Sequence, residues 1–360
     1  MHKTIVIENI YYMLSYAYQE LRQDGFREIN PECFENVKDL FAAILAKAMT
    51  MQLKRGLSRE YIEANDNLSI LKGKIDIKET FQLAKRRDRR IACVFDELSE
   101  NHYMNRIIKT TILYLIRDEP DPDGKGGVRH ENKDALKKVL LFLSGIETLK
   151  VSAIDWRHFR YNRNNATYQM LMHVCYLVLH DLLLTTKEGT QKLASFFDEQ
   201  KLHALFERFV RTYYSQHYQD LEVGAKQIKW DADGTTAFLP TMQSDIMLEY
   251  PKYGRDTRKL IIDTKFYGKI IVQSQYGADK IRSNHLYQIY AYVTNEARNR
   301  SGAVDGMLLY AKTDEAIIPY ATYILGGNKI SVRVLDLNTK FDDIKKQLDS
   351  FVQEDWNLAY

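Results

Sequence analysis

The chain has 360 residues, 45% of them hydrophobic and 28% charged, and its 51 basic and 48 acidic side chains leave a formal charge of +3. That length accommodates two domains, and a nearly balanced charge means that any nucleic-acid contact must come from local basic patches. No apolar run approaches the roughly 20 residues of a membrane span. Met1–Glu8 is too short in apolar length for a signal peptide. The three cysteines, Cys33, Cys93 and Cys175, stand too far apart for a structural zinc site, which suits a reducing, cytoplasmic setting.

In chain order, Thr4 to Glu8 reads as a short strand. Ile10 to Leu21 reads as a helix with Ile10, Leu14, Ala17 and Leu21 on one face. Pro31-Glu32 opens another helix, and Phe41 to Leu53 forms an amphipathic one that Gly56 ends. Arg59 to Ile77 predicts a hairpin or small sheet, with a polar turn at Asn65-Asp66-Asn67 and a sharp bend at Gly73. Lys85 to Arg90 is the densest basic cluster: a solvated loop, or a surface for phosphate or an acidic partner. Ile91 to Phe95 predicts a strand. Asp96 and Ser99 are candidate caps for a helix from Asn101 to Arg117.

Pro120 to Gly127 is a loop and Asn132 to Leu149 a helix. The polar, aromatic stretch Asp155 to Asn165 reads as a connector, which divides the chain into domains 1–160 and 161–360. The second domain begins with helices at Ala166 to Leu184 and Gln200 to Tyr214. Strands follow at Ile228 to Trp230, Met242 to Tyr250, Lys259 to Phe266 and Gly306 to Tyr310, with a helix over Asp279 to Asn295 before the last. Two more strands, at Ala316 to Leu325 and Lys329 to Leu335, precede a helix at Phe341 to Val352. The pattern is an α+β first domain, mostly helical with a small sheet, and an α/β second domain around a central mixed sheet. The 24 tyrosines read chiefly as amphipathic core edge.

Chemistry concentrates at Leu260-Ile-Ile-Asp-Thr-Lys265. Asp263 and Lys265 flank one residue, so on a strand they share a face. Buried charges there are costly unless paired or bound to metal. Asp-x-Lys and Glu-x-Lys triplets recur elsewhere, as at Asp76-Ile-Lys78 and Asp343-Ile-Lys345. Only Asp263-Thr-Lys265 ends a continuous apolar run with a second acid-bearing strand, Ser244-Asp245-Ile246, just upstream. Asp245 and Asp263 are hard oxygen ligands suited to Mg²⁺, with Mn²⁺ able to substitute. The backbone carbonyl of Thr264 is a further candidate ligand. Lys265 stabilises charge at phosphorus or positions the attacking water. This is the constellation of a Mg²⁺-dependent nuclease.

Glu207 either reaches the metal or pairs with Arg208 or Arg211 at the surface. Gln288 either orients Lys265 or a phosphate, or is a plain helix-surface glutamine. Lys280 and Arg282 are candidate DNA contacts, and His285 takes a structural or DNA-contact role. The chain carries no GxxxxGK[ST] nucleotide loop of its own.

Several short stretches, in this order, resemble the McrC family, the nuclease subunits of McrBC modification-dependent restriction systems. In the N-terminal half they are Asn9-Ile-Tyr-Tyr-Met-Leu-Ser-Tyr-Ala17, Arg55-Gly-Leu57, Leu71-Lys-Gly-Lys-Ile-Asp76 and Asn105-Arg-Ile-Ile-Lys109. In the C-terminal half they are Ser244-Asp-Ile246, Ile262-Asp-Thr-Lys-Phe-Tyr267 and Leu286-Tyr-Gln288. The resemblance implies a C-terminal PD-(D/E)xK restriction-endonuclease-like domain with Asp245, Asp263 and Lys265 as its acids and lysine. It also implies an N-terminal domain that docks on an McrB-like AAA+ GTPase hexamer and stimulates GTP hydrolysis, with Ile62 to Arg90 as the partner-facing segment. GTP enters only through that partner, and the substrate is double-stranded DNA containing modified cytosine. Ser244 stands where the superfamily name has proline, and Thr264 where a small residue is common; neither removes a ligand. The alternative is a regulatory module of an AAA+ ring whose nuclease fold is inactive or secondary.

Overall fold

The computed structural model describes residues 7–18, 21, 29, 34, 36–119, 127–156, 159, 161, 165–188, 199–235, 237–252, 257–266, 271–273, 279–298, 303–312 and 319–356. It resolves into two compact units: Met1–Gln23, Asn30–Phe34 and Glu188–Tyr360 form one, and Asp24–Ile29 and Glu35–Lys187 the other. The chain opens with helix α1 (Ile7–Ala17), so Ile7 and Glu8 are helical rather than in the expected strand; residues 4–6 lie outside the described residues, as does the Pro31-Glu32 helix start.

The unit holding residues 35–187 begins with α2 (Val37–Arg55). Asn36 caps it by accepting the Asp39 N–H at 2.8 Å, and Gly56, at φ 89°, closes it. Strands β1 (Glu60–Leu68), β2 (Lys74–Ile75) and β3 (Ile91–Ser99) form an antiparallel sheet in the order β1-β3-β2. β1 runs straight through Asn65-Asp66-Asn67, which face Val94, Cys93 and Ala92 on β3. The expected turn there is therefore strand: nine pairs along β3 outweigh the local turn preference of Asn and Asp. The bend at Gly73 is as expected, with φ 72°, and a Cβ there would stand 2.7 Å from Phe95 Cβ. Helix α3 (Ile77–Lys85) follows, capped by Asp76. Next come α4 (Tyr103–Arg117), α5 (His130–Leu141) and α6 (Ala166–Glu188). Tyr168 of α6 ties this unit together: its hydroxyl accepts the Ser58 N–H at 2.9 Å and donates to Asn105 Oδ1 at 2.8 Å.

The other unit contains α7 (Glu199–His217), β4 (Glu222–Gly224), β5 (Gln227–Ile228), β6 (Met242–Gln243), β7 (Ile246–Tyr250) and β8 (Arg258–Lys265). After them come β9 (Ile271–Gln273), β10 (Asp279–Ile281), α8 (Ser283–Arg298), β11 (Val304–Ala311), β12 (Ala321–Leu325), β13 (Asn328–Leu335) and α9 (Phe341–Trp356). Six strands make a mixed sheet in the order β12-β13-β11-β8-β7-β4. β11 runs parallel to both β8 and β13, whereas β7 runs antiparallel to β8. An α/β domain around a mixed sheet is thus as expected. The expected helix from Asp279 instead starts at Ser283, because Asp279–Ile281 pair with β9.

The domain division differs from the expected boundary at 160. α6 belongs with the residues before it, and α1 belongs with the C-terminal sheet. Aromatic packing explains the second point. Tyr12 stacks on Phe341 of α9 at 4.2 Å, Tyr16 meets Phe209 of α7 edge-on at 5.5 Å, and Asn9 donates to the carbonyls of Leu337 and Thr339. These partners lie some two to three hundred residues along the chain, so no local pattern reveals them.

α8 covers one face of the sheet, burying Ile289 and Val293 against Met247, Ile261 and Leu308. Each such side chain contributes about 1.5–3 kcal/mol of burial. Gly306 on β11 permits the close approach, since a Cβ there would meet Val293 Cγ2 at 2.7 Å. α7 covers the opposite face, where Phe206 meets Phe266. β8 is thereby buried along nearly its whole length.

Candidate functional site

Alternation along β8 puts Lys259, Ile261, Asp263 and Lys265 toward α8, and Leu260, Ile262 and Thr264 toward α7. Asp263 is fully buried, and Lys265 stands 2.8 Å from its Oδ2. Lys265 is its close charged partner, and among the described residues no other donor reaches either Asp263 oxygen. Burial pushes the Asp263 carboxyl up to about 6; Lys265 pulls it down and the neighbouring Asp245 charge pushes it up again.

Lys265 also donates to Gln288 Oε1 at 3.1 Å, and the Gln288 amide donates to the Tyr292 hydroxyl at 3.1 Å. Gln288 thus contacts Lys265 directly, one of the arrangements expected for it. Asp245 lies at the entry to β7, paired antiparallel to β8, which brings it beside the end of β8. Its Oδ2 accepts both the N–H of Thr264 at 2.8 Å and the Thr264 hydroxyl at 2.9 Å.

Glu207, on α7, pairs with Arg211, the second of the two readings offered for it. Arg211 donates to it at 2.7 Å, while burial and the Asp245 charge raise its carboxyl above the ordinary range. His203, one turn earlier on α7, is a site residue that sequence reading missed. Its Nε2 stands 2.5 Å from the Thr264 carbonyl and 3.9 Å from Asp245 Oδ2. The one available signal was its place a turn before Glu207 on the same helical face.

Of the two roles offered for His285, structural or DNA contact, its surroundings are those of the first. It is 3% exposed, its Nδ1 lies 2.9 Å from the Tyr310 hydroxyl, and burial with the Lys265 and Arg282 charges lowers it to about 4. A neutral, enclosed imidazole offers no charge to a phosphate. Lys280 is exposed and Arg282 half-buried at the entry to α8.

Among the described residues, no three His, Cys, Asp or Glu side chains stand close enough to form a metal cage. Two carboxylates nevertheless suit Mg²⁺, which is commonly held by one or two carboxylates plus waters and substrate phosphate. The buried oxygens of Asp263, with Lys265 as their one donor among the described residues, fit that open kind of site. A cation between two carboxylates, with an ammonium alongside, is chemistry suited to phosphoester hydrolysis.

Fold and site together define an α/β protein with an acidic, lysine-flanked centre at the end of a central strand. The family model for the "McrBC 5-methylcytosine restriction system component" matches residues 5–311, and the chain belongs to that family. The resemblance drawn from the short motifs is thus borne out at the level of the family. The chain is 26% identical over 353 residues to the "Type IV methyl-directed restriction enzyme EcoKMcrBC" of Escherichia coli (strain K12), covering 96% of each. Two solved assemblies from Thermococcus gammatolerans are similar. A chain of the McrB AAA+ hexamers with bound McrC is 15% identical, with a TM-score of 0.44, over 96% of this chain and 76% of that one. A chain of the McrBC complex is 18% identical, with a TM-score of 0.37, over 59% of this chain and 58% of that one. Among the described residues, no helix is long and apolar enough to cross a membrane.

Proposed function

We propose that this chain is the DNA-cleaving subunit of a GTP-dependent, modified-cytosine-directed restriction complex, and that its C-terminal sheet is a PD-(D/E)xK nuclease domain. The observation that carries the reading is Asp263: a fully buried carboxylate with Lys265 as its one donor among the described residues and Asp245 nearby, in a restriction-system family. A carboxylate so placed costs stability unless something bound repays it.

In this reading Asp245 and Asp263 hold Mg²⁺, or Mn²⁺ in its place. The Thr264 carbonyl retains a second lone pair beside its contact with His203, and Glu207 is a further oxygen donor. When bound, the ion lowers the pKa of a water and offsets charge on the scissile phosphate. Lys265, held between Asp263 and Gln288, presents its ammonium where negative charge grows on the attacked phosphate. Tyr292 restrains Gln288, so the lysine is fixed before substrate arrives. Lys280 and Arg282 contact the DNA backbone.

The name of the Escherichia coli relative supports a methyl-directed activity. An McrB-like AAA+ GTPase hexamer supplies GTP hydrolysis and base recognition, which agrees with the lack of a nucleotide loop in this sequence. The unit holding residues 35–187 docks on that partner and stimulates it through the segment 62–90. Exposed Ile70, Ile77 and Phe81 support this assignment, because large apolar side chains in solvent mark binding surfaces.

The test is Asp263→Ala in the full chain, assayed with its GTPase partner. DNA cleavage is expected to disappear while stimulation of GTP hydrolysis survives. Cleavage that persists with Mg²⁺ would sink the assigned site. Full-rate cutting by the purified chain without partner or GTP would sink the subunit reading.

A further inference from the structure

We infer that Thr264, the middle residue of Asp263-Thr-Lys265, positions Asp245 for cation binding by holding one carboxylate oxygen and leaving the other for the ion. The inference rests on the metal-centre reading above.

Asp245 keeps 20% of its side chain in solvent, so its carboxylate has room to rotate unless it is held. Thr264 is fully buried on the neighbouring strand and reaches Asp245 twice: from its N–H at 2.8 Å and from its hydroxyl at 2.9 Å. Both bonds end on Oδ2. A carboxylate only accepts, so the threonine hydroxyl hydrogen must point at Asp245. Two donors on one oxygen fill its in-plane lone pairs and set the plane of the group. Oδ1 is then the oxygen left to a cation.

Thr264 is itself held. A carbonyl only accepts, so the His203 Nε2 that stands 2.5 Å from the Thr264 carbonyl carries its hydrogen. α7 thus fixes the backbone of Thr264 from one side while Asp245 is fixed from the other. β-branching restricts the threonine rotamer further. The residue between the acid and the lysine, which a D-x-K pattern treats as free, is thereby specified as a hydroxyl of threonine-like shape.

Groups that hold a metal ligand in place contribute about 10–100-fold to metal affinity. The experiment is calorimetric titration of Mn²⁺ into the full chain, without partner or DNA, for wild type, Thr264→Val, Thr264→Ser and Asp263→Ala. Valine keeps the shape and the N–H but loses the hydroxyl; thermal melting checks its fold, and Thr264→Ala replaces it if the valine variant is unfolded. Affinity in Thr264→Val is expected to fall about 10-fold, and Thr264→Ser to restore it. Unchanged affinity in Thr264→Val overturns the inference, as does equal weakening in Thr264→Ser. A wild-type chain that binds no Mn²⁺, or an Asp263→Ala chain that binds it as tightly, overturns the metal centre itself and the positioning role with it.

Discussion

Both ends of β8 bury charge, and they do so in opposite ways. At the start, Lys259 is 2% exposed and donates to Glu296 of α8 at 2.6 Å, with Glu249 of β7 at 3.5 Å. Lys226 closes the group by donating to Glu249 at 2.8 Å. At the end, Asp263 has Lys265 as its one close cation, and among the described residues no other donor reaches its oxygens. One strand therefore carries a satisfied ionic cluster and a partly satisfied one. The satisfied cluster holds α8 in register over β8. The partly satisfied one retains unused coordinating capacity, which is what a binding centre requires.

The contrast breaks most visibly at the satisfied end. Lys259→Met leaves Glu249 and Glu296 buried beside each other, so denaturant unfolding is expected to record a loss of about 3–5 kcal/mol. Mn²⁺ binding by the chain that remains folded should change little. A neutral effect on stability would remove the distinction between the two ends.

At the other end, Lys265→Met is expected to lower DNA cleavage by the partnered enzyme about 10²–10³-fold, the usual consequence of losing one transition-state donor. Its unfolding free energy should fall as well at neutral pH, because Asp263 is left buried without its cation. A rate within a few-fold of wild type would remove Lys265 from the chemistry.

Asp263→Asn sharpens the comparison through pH. The folded carboxyl lies at about 6 against an ordinary 3.8, so between those values the folded chain holds more protons than the unfolded one. Stability from this group is fully present below about pH 4 and is lost as pH rises through about 6. In the absence of metal, the asparagine variant escapes that loss. It should be more stable than wild type at neutral pH by at most about 3 kcal/mol, with the advantage gone below pH 4. Melting curves across pH 3.5–8 check this; an advantage that grows toward low pH would contradict it.

The smallest effect is expected from Gln288→Leu. It frees Lys265 without removing it, so cleavage should fall about 10-fold, about 1.4 kcal/mol at the transition state. Fold stability should hold nearly constant. A loss as large as that of Lys265→Met would give Gln288 a direct part in the reaction.

Much of the fold was legible because it rests on local patterns. The apolar periodicity of α2, α4, α7 and α9, and the continuous runs of β8 and β13, identify those elements from their own residues. Two misreadings came where strand pairing outweighed local preference. Asn65-Asp66-Asn67 is strand because β3 pairs with it, and Asp279–Ile281 is strand because β9 does. Short α3 was missed because its exposed Ile77 and Phe81 give no buried stripe to recognise.

For the site, the sequence by itself picked out the candidate residues: an acid and a lysine two apart at the end of an apolar run, with a second acid upstream. Two-residue alternation on a strand is a local rule, and it places Asp263 and Lys265 on one face without reference to the rest of the chain. Only the tertiary structure decided how those groups are held. His203 lies 61 residues from Thr264, Gln288 lies 23 from Lys265, and α1 reaches α9 from the far end of the chain. Hydrogen-bond partners and burial depend on which helix covers which face, and that is settled by packing across the whole unit rather than by any one stretch of it.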